Sequence, residues 1–375
     1  MPVALSDRVA ASDQISFRIA LTSRHNAHGT AQRAFPMKTW QVAAGSLGRD
    51  YANDFLRFGM AFVGDDVQVA TMEQVEAGDC IILKRGVSQI IAVGCIVERG
   101  GYARGCGDKA WLRDFDGWDL PAYCYVEWHL PSDAIATHGL TRATIQAVNQ
   151  PHLVELAEQV VRDVPARLNY DPEPTPTKKV GDEEILEFLI SEGLRPAAAE
   201  DLTAAFRRIR LLARYYYDKC NWADIREHET RTFLIMPLLL GLGWAEQQIK
   251  IELPVKGGQR IDVACFSRPY RRDREDRPNN EDCVLILESK DFQSGLDYAS
   301  DQAKQYAEKF PNCRAVAVSN GYCYKTYVRQ DDGQFRTDPS AYINLLNPQD
   351  FYPLRPDTVD GALEALRLLM PHSWH

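Results

Sequence analysis

The chain has 375 residues, which makes two domains the default expectation, and 45% of them are hydrophobic, enough for packed cores. Its formal net charge of −9 at pH 7 excludes a globally basic protein, so any contact with nucleic-acid phosphates must be local. Nine scattered cysteines, with no Cys-x-x-Cys pair, argue against a cysteine zinc site and a secreted disulfide scaffold. The sequence also has no signal-peptide pattern and no apolar run of membrane-spanning length. Together with the scattered cysteines, this predicts a cytoplasmic protein without a membrane partner.

The front of the chain carries short apolar runs separated by turns that contain glycine. Strands are predicted over residues 38–43, 59–63, 80–84, 90–97 and 122–128, and residues 78–97 have the pattern of a β-hairpin. Regular spacing of short strands is typical of a small barrel. The sequence therefore predicts a small β-barrel domain over residues 1–150.

The same region supplies side chains suited to a nucleobase pocket. Aromatic rings can stack on a base taken out of a helix, and an acid can accept a hydrogen bond from its exocyclic amine. The candidate pocket residues are Trp40, Tyr51, Phe58, Trp118 and Asp116. Aromatic residues also build barrel cores, and this alternative stays open for each of them.

Residues 151–180 are predicted to form a helix followed by a linker. The polar stretch 169–179 contains three prolines, which favour an extended chain. Two further helices are predicted over residues 182–191 and 199–219, the second with apolar residues at helical spacing. The linker predicts a boundary, with a second domain over residues 181–375.

Two predicted strands of this second part end in residues that can do chemistry. Residues 259–265 carry Asp262, and residues 284–290 end in Glu288, Ser289 and Lys290. Two carboxylates at neighbouring strand ends repel each other unless a cation lies between them. Carboxylate oxygens bind hard cations such as Mg²⁺, and a lysine beside them can steady the water or the phosphate in phosphodiester hydrolysis. Taken alone, Asp262 could be a turn acid, and Glu288 with Lys290 could be a solvated strand end.

The flanking segments add a helix on either side of these strands. A helix is predicted over residues 227–242, ending at Gly243, and residues 302–307 place Gln302 and Tyr306 on one helical face. Residues 314–319 read as a strand that runs into Ser-Asn-Gly, with residues 323–329 as its hairpin partner.

This order of elements and motifs resembles the PD-(D/E)XK nuclease superfamily, and within it the nuclease domain of type I restriction motor subunits. The resemblance covers residues 225–327 and implies an α/β nuclease fold with a mixed central sheet. It implies that Asp262, Glu288 and the Ser289 carbonyl bind Mg²⁺ or Mn²⁺, and that Lys290 orients the nucleophile. It further implies that Glu227, or Glu229 in its place, contacts the metal through water, and that Gln302 and Tyr306 orient the site.

A second resemblance concerns the front of the chain. The stretch TWQVAAG at residues 39–45, followed by Phe55, Gly59, residues 62–64 and the predicted hairpin, is similar to PUA-like domains of the EVE and YTH kind. Those domains bind a nucleobase, often a modified one, in an aromatic pocket.

Together the two resemblances imply an α+β two-domain protein that acts as a modification-dependent DNA restriction endonuclease in bacterial or archaeal phage defence. DNA carrying a modified base is the expected partner, and a homodimer is expected on DNA because two strands must be cut. Two alternatives stay open: a nuclease regulated by a nucleotide or an RNA, and a non-catalytic nucleic-acid-binding module. The sequence has no Gly-x-x-x-x-Gly-Lys motif, so translocation along DNA would need another chain.

Overall fold

An eight-stranded sheet forms the first half of the computed structural model, which describes residues 38–255, 257–271 and 280–374. Its strands are β1 Thr39–Ala43, β2 Met60–Val63, β3 Cys80–Arg85, β4 Gln89–Ile96, β5 Arg104–Cys106, β6 Ala122–His129, β7 Ile135–Ala136 and β8 Ile145–Val148. The strand order is β2-β6-β4-β3-β1-β8, with β5 on β6 and β7 on β4. The five predicted strands are confirmed, each end within one residue of its prediction. The closed barrel remains a prediction, and residues 1–37 of that predicted domain lie outside the described residues.

Three helices pack on this sheet: α1 Ala52–Phe58, α2 Asp66–Met72 and α3 Pro151–Asp163. Asp65 caps α2, because its carboxylate accepts a hydrogen bond from the Gln68 backbone nitrogen at 2.9 Å. Helix α3 places Leu153, Ala157 and Val160 on one face, and this face packs on apolar side chains of β3 and β4.

A second sheet of six strands forms the other half of the molecule. Its strands are β9 Ile249–Pro254, β10 Arg260–Phe266, β11 Cys283–Ser289, β12 Ala315–Ser319, β13 Cys323–Val328 and β14 Ala341–Asn344. The order is β14-β13-β12-β11-β10-β9, and only β11 and β12 run parallel. Its helices are α4 Asp182–Ser191, α5 Pro196–Lys219, α6 Glu227–Thr230, α7 Met236–Gly241, α8 Ala299–Ala307 and α9 Ala362–Leu368. The mixed α+β fold class is thereby confirmed.

The predicted helix over residues 227–242 is not regular throughout. A π-helical turn at Arg231–Ile235 separates α6 from α7. Pro237 explains this irregularity, because proline lacks the N–H that would bond to the carbonyl four residues earlier and its ring crowds that carbonyl. The π-helical turn begins at Arg231, whose side chain pairs with Glu252 and Asp262 of the second sheet.

Buried polar contacts join the two sheets. The Asp116 carboxylate pairs with Lys325 of β13 at 2.9 Å, and Asp114 accepts hydrogen bonds from Tyr342 at 2.7 Å and from Asn344 at 3.1 Å. One hydrophobic cluster runs through both halves, and the described residues form one compact unit. The boundaries at residues 150 and 180 stay predictions.

The predicted linker, residues 169–179, contains no helix or strand but lies against folded elements. The Trp128 backbone nitrogen donates to the Tyr170 hydroxyl at 2.8 Å, and the Lys178 nitrogen donates to Asp350 at 2.7 Å.

Among the helices of the described ranges, none combines the length and the apolar character needed to cross a membrane.

Candidate active site

The two predicted metal-binding acids lie together at one end of neighbouring strands. Val263 of β10 pairs with Leu287 of β11 in an antiparallel register, so Asp262 and Glu288 flank the same end of that strand pair. Both are buried, with 8% of Asp262 and 3% of Glu288 exposed. Because burial penalises charge, two adjacent buried carboxylates require compensating cations or hydrogen bonds.

Asp262 receives this compensation from its neighbours. Its Oδ2 atom accepts hydrogen bonds from the Ser289 backbone nitrogen at 2.8 Å and from the Ser289 hydroxyl at 2.9 Å. Its Oδ1 atom lies 3.0 Å from Nη1 of Arg231. Ser289 therefore holds Asp262 through its N–H and hydroxyl groups, while a ligand role for its carbonyl stays a prediction.

Only one of the two carboxylate oxygens of Glu288 has a hydrogen-bond partner among the described residues. Its Oε1 atom accepts from Nζ of Lys290 at 2.6 Å, but its buried Oε2 atom has no hydrogen-bond partner within the described ranges. Burial, and next the charge of Asp262, raise the pKa of Glu288 to about 7 in spite of the opposing charge of Lys290. An orphaned buried carboxylate oxygen beside a second acid fits a site that takes a cation.

The structure places Glu227, rather than Glu229, beside these strands. The Ser289 hydroxyl oxygen lies 3.3 Å from Oε1 of Glu227, and burial followed by the charge of Asp262 raises the pKa of Glu227. The Glu229 carboxylate instead accepts from the Arg226 backbone nitrogen at 2.9 Å, at the start of its own helix. The Glu227 nitrogen donates to Asp291 at 2.8 Å, which fixes this helix end next to the segment that follows β11.

Arg231 is a site residue that the sequence interpretation missed. Its guanidinium pairs with Asp262 at 3.0 Å, with Glu252 of β9 at 2.6 Å and with Glu227 at 3.6 Å, and only 11% of its side chain is exposed. Its position four residues after Glu227, on the same helical face, was the available signal. Across the described ranges no group of three or more His, Cys, Asp and Glu residues is arranged to hold a metal ion. Arg231 pairs with Asp262 and Lys290 pairs with Glu288, so each of the two buried acids has one cationic partner in the described structure.

The predicted pair on α8 forms a contact. Nε2 of Gln302 donates to the hydroxyl of Tyr306 at 2.9 Å, with Gln302 exposed and Tyr306 buried. Within the described structure no hydrogen bond joins either residue to Asp262, Glu288 or Lys290, so their role in orienting the site stays a prediction.

Three of the five candidate pocket residues lie in the core or at the junction. Trp40 is 2% exposed and its Nε1 donates to Asp79 at 2.8 Å, while the Phe58 ring packs 4.9 Å from that of Trp111. Asp116 is held by Lys325 and borders a small cavity of about 130 Å³. Strand periodicity could not show that Trp40 lies in the core, because β1 is an inner strand whose two faces are both buried.

Tyr51 and Trp118 do line a large cavity, of about 840 Å³. The Trp118 ring stacks on the Arg49 guanidinium, whose carbon lies 3.9 Å from the ring centroid. Three buried polar atoms of the lining have no hydrogen-bond partner in the part of the chain that the structure describes: the Tyr51 hydroxyl, the Trp118 Nε1 and Oδ1 of Asp119.

Comparison of the chain with protein-family models, with curated proteins and with solved structures finds no match. The features that bear on function are therefore the cavity and the three neighbouring carboxylates of Glu227, Asp262 and Glu288, which form the acid cluster.

Proposed function

We propose that this protein is a metal-dependent endonuclease whose second half has a PD-(D/E)XK fold. The observation that carries the proposal is the buried Glu288, with one orphaned oxygen, beside the buried Asp262 and the partly exposed Lys290. Asp262, Glu288 and the Ser289 carbonyl would hold Mg²⁺ or Mn²⁺, with Glu227 contacting it through water. The bound ion supplies charge that polarises the phosphate and lowers the pKa of the attacking water.

The protein's own residues have distinct roles in this reaction. Lys290 lies 2.6 Å from Glu288 with 24% of its side chain exposed, so it can turn from Glu288 toward an attacking water or a phosphate oxygen. Arg231 balances the charges of Asp262 and Glu227 before DNA arrives. Its planar guanidinium suits a phosphate as well as a carboxylate, which makes it a positioning residue for both.

The front half is proposed to be a PUA-like reader of a modified base. The 840 Å³ cavity supports this, because Trp118 and Tyr51 belong to its lining and offer aromatic side chains for stacking on a base. The complete protein would then be a cytoplasmic, modification-dependent DNA restriction endonuclease that works as a dimer on DNA, since each strand requires an active site.

One observation favours a second candidate, a nuclease regulated by a free nucleotide. The cavity volume of about 840 Å³ lies within the usual range for sites that hold a whole small-molecule ligand. A larger ligand that includes sugar and phosphate fits this volume better than a bare base.

Cleavage should depend strictly on a hard divalent cation. Duplexes with and without modified bases are incubated with Mg²⁺, Mn²⁺, Ca²⁺ or excess chelator, and products are measured on denaturing gels. We expect cutting of a modified duplex with Mg²⁺ or Mn²⁺, binding without turnover with Ca²⁺, and no cutting with chelator, because the ligands are all oxygen atoms. Mg²⁺ should also raise the melting temperature of the wild type but not of Asp262→Asn, with the exposed Asp331→Asn as control. Undiminished cutting in excess chelator would rule out the mechanism.

Reading of the modified base should depend on Trp118. Trp118→Ala should weaken binding to the preferred modified duplex by about 1–3 kcal/mol, the usual contribution of one base–aromatic stack. The matched control is Tyr102→Ala, which removes an aromatic side chain that is 72% exposed and does not line the cavity. Fluorescence anisotropy in Ca²⁺ gives the affinities. Equal affinities of Trp118→Ala and wild type would mean that the base is read elsewhere.

A further inference from the structure

Lys84 is a buried lysine at the cavity wall that lacks an acidic partner. It is 2% exposed, and its Nζ atom has one weak contact, with the Gly86 carbonyl at 3.3 Å. No carboxylate of the described residues pairs with it, and burial alone lowers its pKa. Lys325, which is also buried, has two carboxylate partners. A buried charge without a partner is costly, so Lys84 is suited to an anion that enters the cavity.

The acids of the cavity lining are already engaged elsewhere. Asp50 pairs with Arg85 at 3.1 Å and accepts from the Tyr298 hydroxyl at 3.0 Å. Asp65 caps α2, and Oδ2 of Asp119 pairs with Arg113 at 2.7 Å. None of them forms an ion pair with Lys84, which lines the same cavity.

The cavity has aromatic walls from both halves of the molecule. Trp118 and Tyr51 come from the front half, while Tyr217, Trp222 and Tyr298 come from the half that carries the acid cluster. The rings of Tyr217 and Trp222 pack 4.5 Å apart. A planar ligand in the cavity would therefore contact side chains of both halves.

We propose that this cavity binds a nucleotide, with its phosphate on Lys84 and its base against the aromatic residues of both halves. The inference rests on the proposed reader function and deepens it, since it specifies a phosphate contact and assigns ligand-binding residues to the nuclease half. The nucleotide can be a flipped unit of DNA or a free molecule, because both present the same chemistry.

The phosphate contact is tested on the full-length, metal-free protein by tryptophan fluorescence. The probes are 5-methyl-2′-deoxycytidine 5′-monophosphate and the same nucleoside without phosphate. The monophosphate should bind roughly 10- to 100-fold more tightly, the usual effect of a hydrogen bond to a charged group. Lys84→Met should remove this difference, whereas Lys84→Arg should keep much of it. Equal affinities for the two probes in the wild type, or an unchanged difference in Lys84→Met, would overturn the proposal.

The wall from the nuclease half is tested with a matched pair of tyrosines. Tyr298→Ala should weaken binding of the monophosphate about 5- to 150-fold, as expected for loss of one stacking side chain. Tyr215→Ala should leave it unchanged, because Tyr215 is 57% exposed, like Tyr298 at 61%, but does not line the cavity. Equal effects of both substitutions would contradict a composite site.

Lys84→Met removes a buried unpaired charge, so the melting temperature of this variant should not fall below that of the wild type.

Competition separates the two sources of the nucleotide. Displacement of the monophosphate by a duplex containing 5-methylcytosine identifies a flipped unit of DNA, and retention identifies a free nucleotide. All these measurements omit divalent metal, so they are independent of cutting. A failure to cut any DNA would overturn the nuclease proposal alone, and a missing phosphate dependence would overturn the nucleotide site alone.

Discussion

Replacing Glu288 with glutamine should abolish DNA cleavage and at the same time stabilise the metal-free protein near neutral pH. The loss of activity should be on the order of 10³-fold, because under the proposed mechanism the site loses a charge that would hold the catalytic cation. The gain in stability follows from the raised pKa of Glu288, about 7 against an ordinary value of 4.5. An acid whose pKa rises on folding stabilises the fold fully below its unfolded pKa and loses that contribution as pH rises through the folded pKa.

This effect has a definite pH window. Between about pH 4.5 and 7 the wild type should lose up to about 3 kcal/mol of its free energy of unfolding, at 1.36 kcal/mol for each pKa unit. Urea unfolding in chelator at pH 5 and pH 8 measures the loss. Since Asp54 and Asp114 also have raised pKa values of about 6, the informative quantity is the difference between variant and wild type. The exposed Glu308→Gln should behave as wild type. A Glu288→Gln protein that cuts at the wild-type rate would remove this residue from the site.

Replacing Lys325 with methionine should destabilise the whole molecule by about 3–5 kcal/mol. Lys325 pairs with Asp116 at 2.9 Å and with Asp297 at 2.7 Å, and its side chain is 5% exposed. Removing it leaves Asp116, whose side chain is 4% exposed, as a buried charge without its lysine partner. Because the pair joins the two sheets, both halves should unfold in one transition at a lower midpoint.

The double variant Lys325→Met with Asp116→Asn is the control for this prediction. It removes the uncompensated carboxylate, so it should recover part of the lost stability. Thermal unfolding followed by circular dichroism and by tryptophan fluorescence reports on both halves. An early transition of one half, with the other unchanged, would show that the ion pair does not join their stabilities.

The strands and the acids could be predicted from sequence because both depend on local patterns. The apolar runs of β3, β4 and β11 mark their strands directly, and Asp262 and Glu288 stand out because each is an acid within such a strand. The contacts between distant parts could not be predicted this way. Asp116 resembles an exposed turn acid, but its partner Lys325 lies 209 positions further along the chain. The part of the cavity lining that comes from the other half could not be predicted for the same reason, since Trp118 and Tyr298 line one cavity only after both sheets have formed.

Under the proposed reader function, the buried junction between the sheets also limits how the front half could acquire a new specificity. The loop with Asp114 and Asp116 depends on Lys325, Tyr342 and Asn344, all of which belong to the other half. Exchange of the front sheet by recombination within residues 169–179 would separate these partners and leave buried carboxylates without their donors. New specificities should therefore arise by substitution within the cavity lining. Transplantation of a complete front segment would succeed only when the matching residues of β13 and β14 are transferred with it.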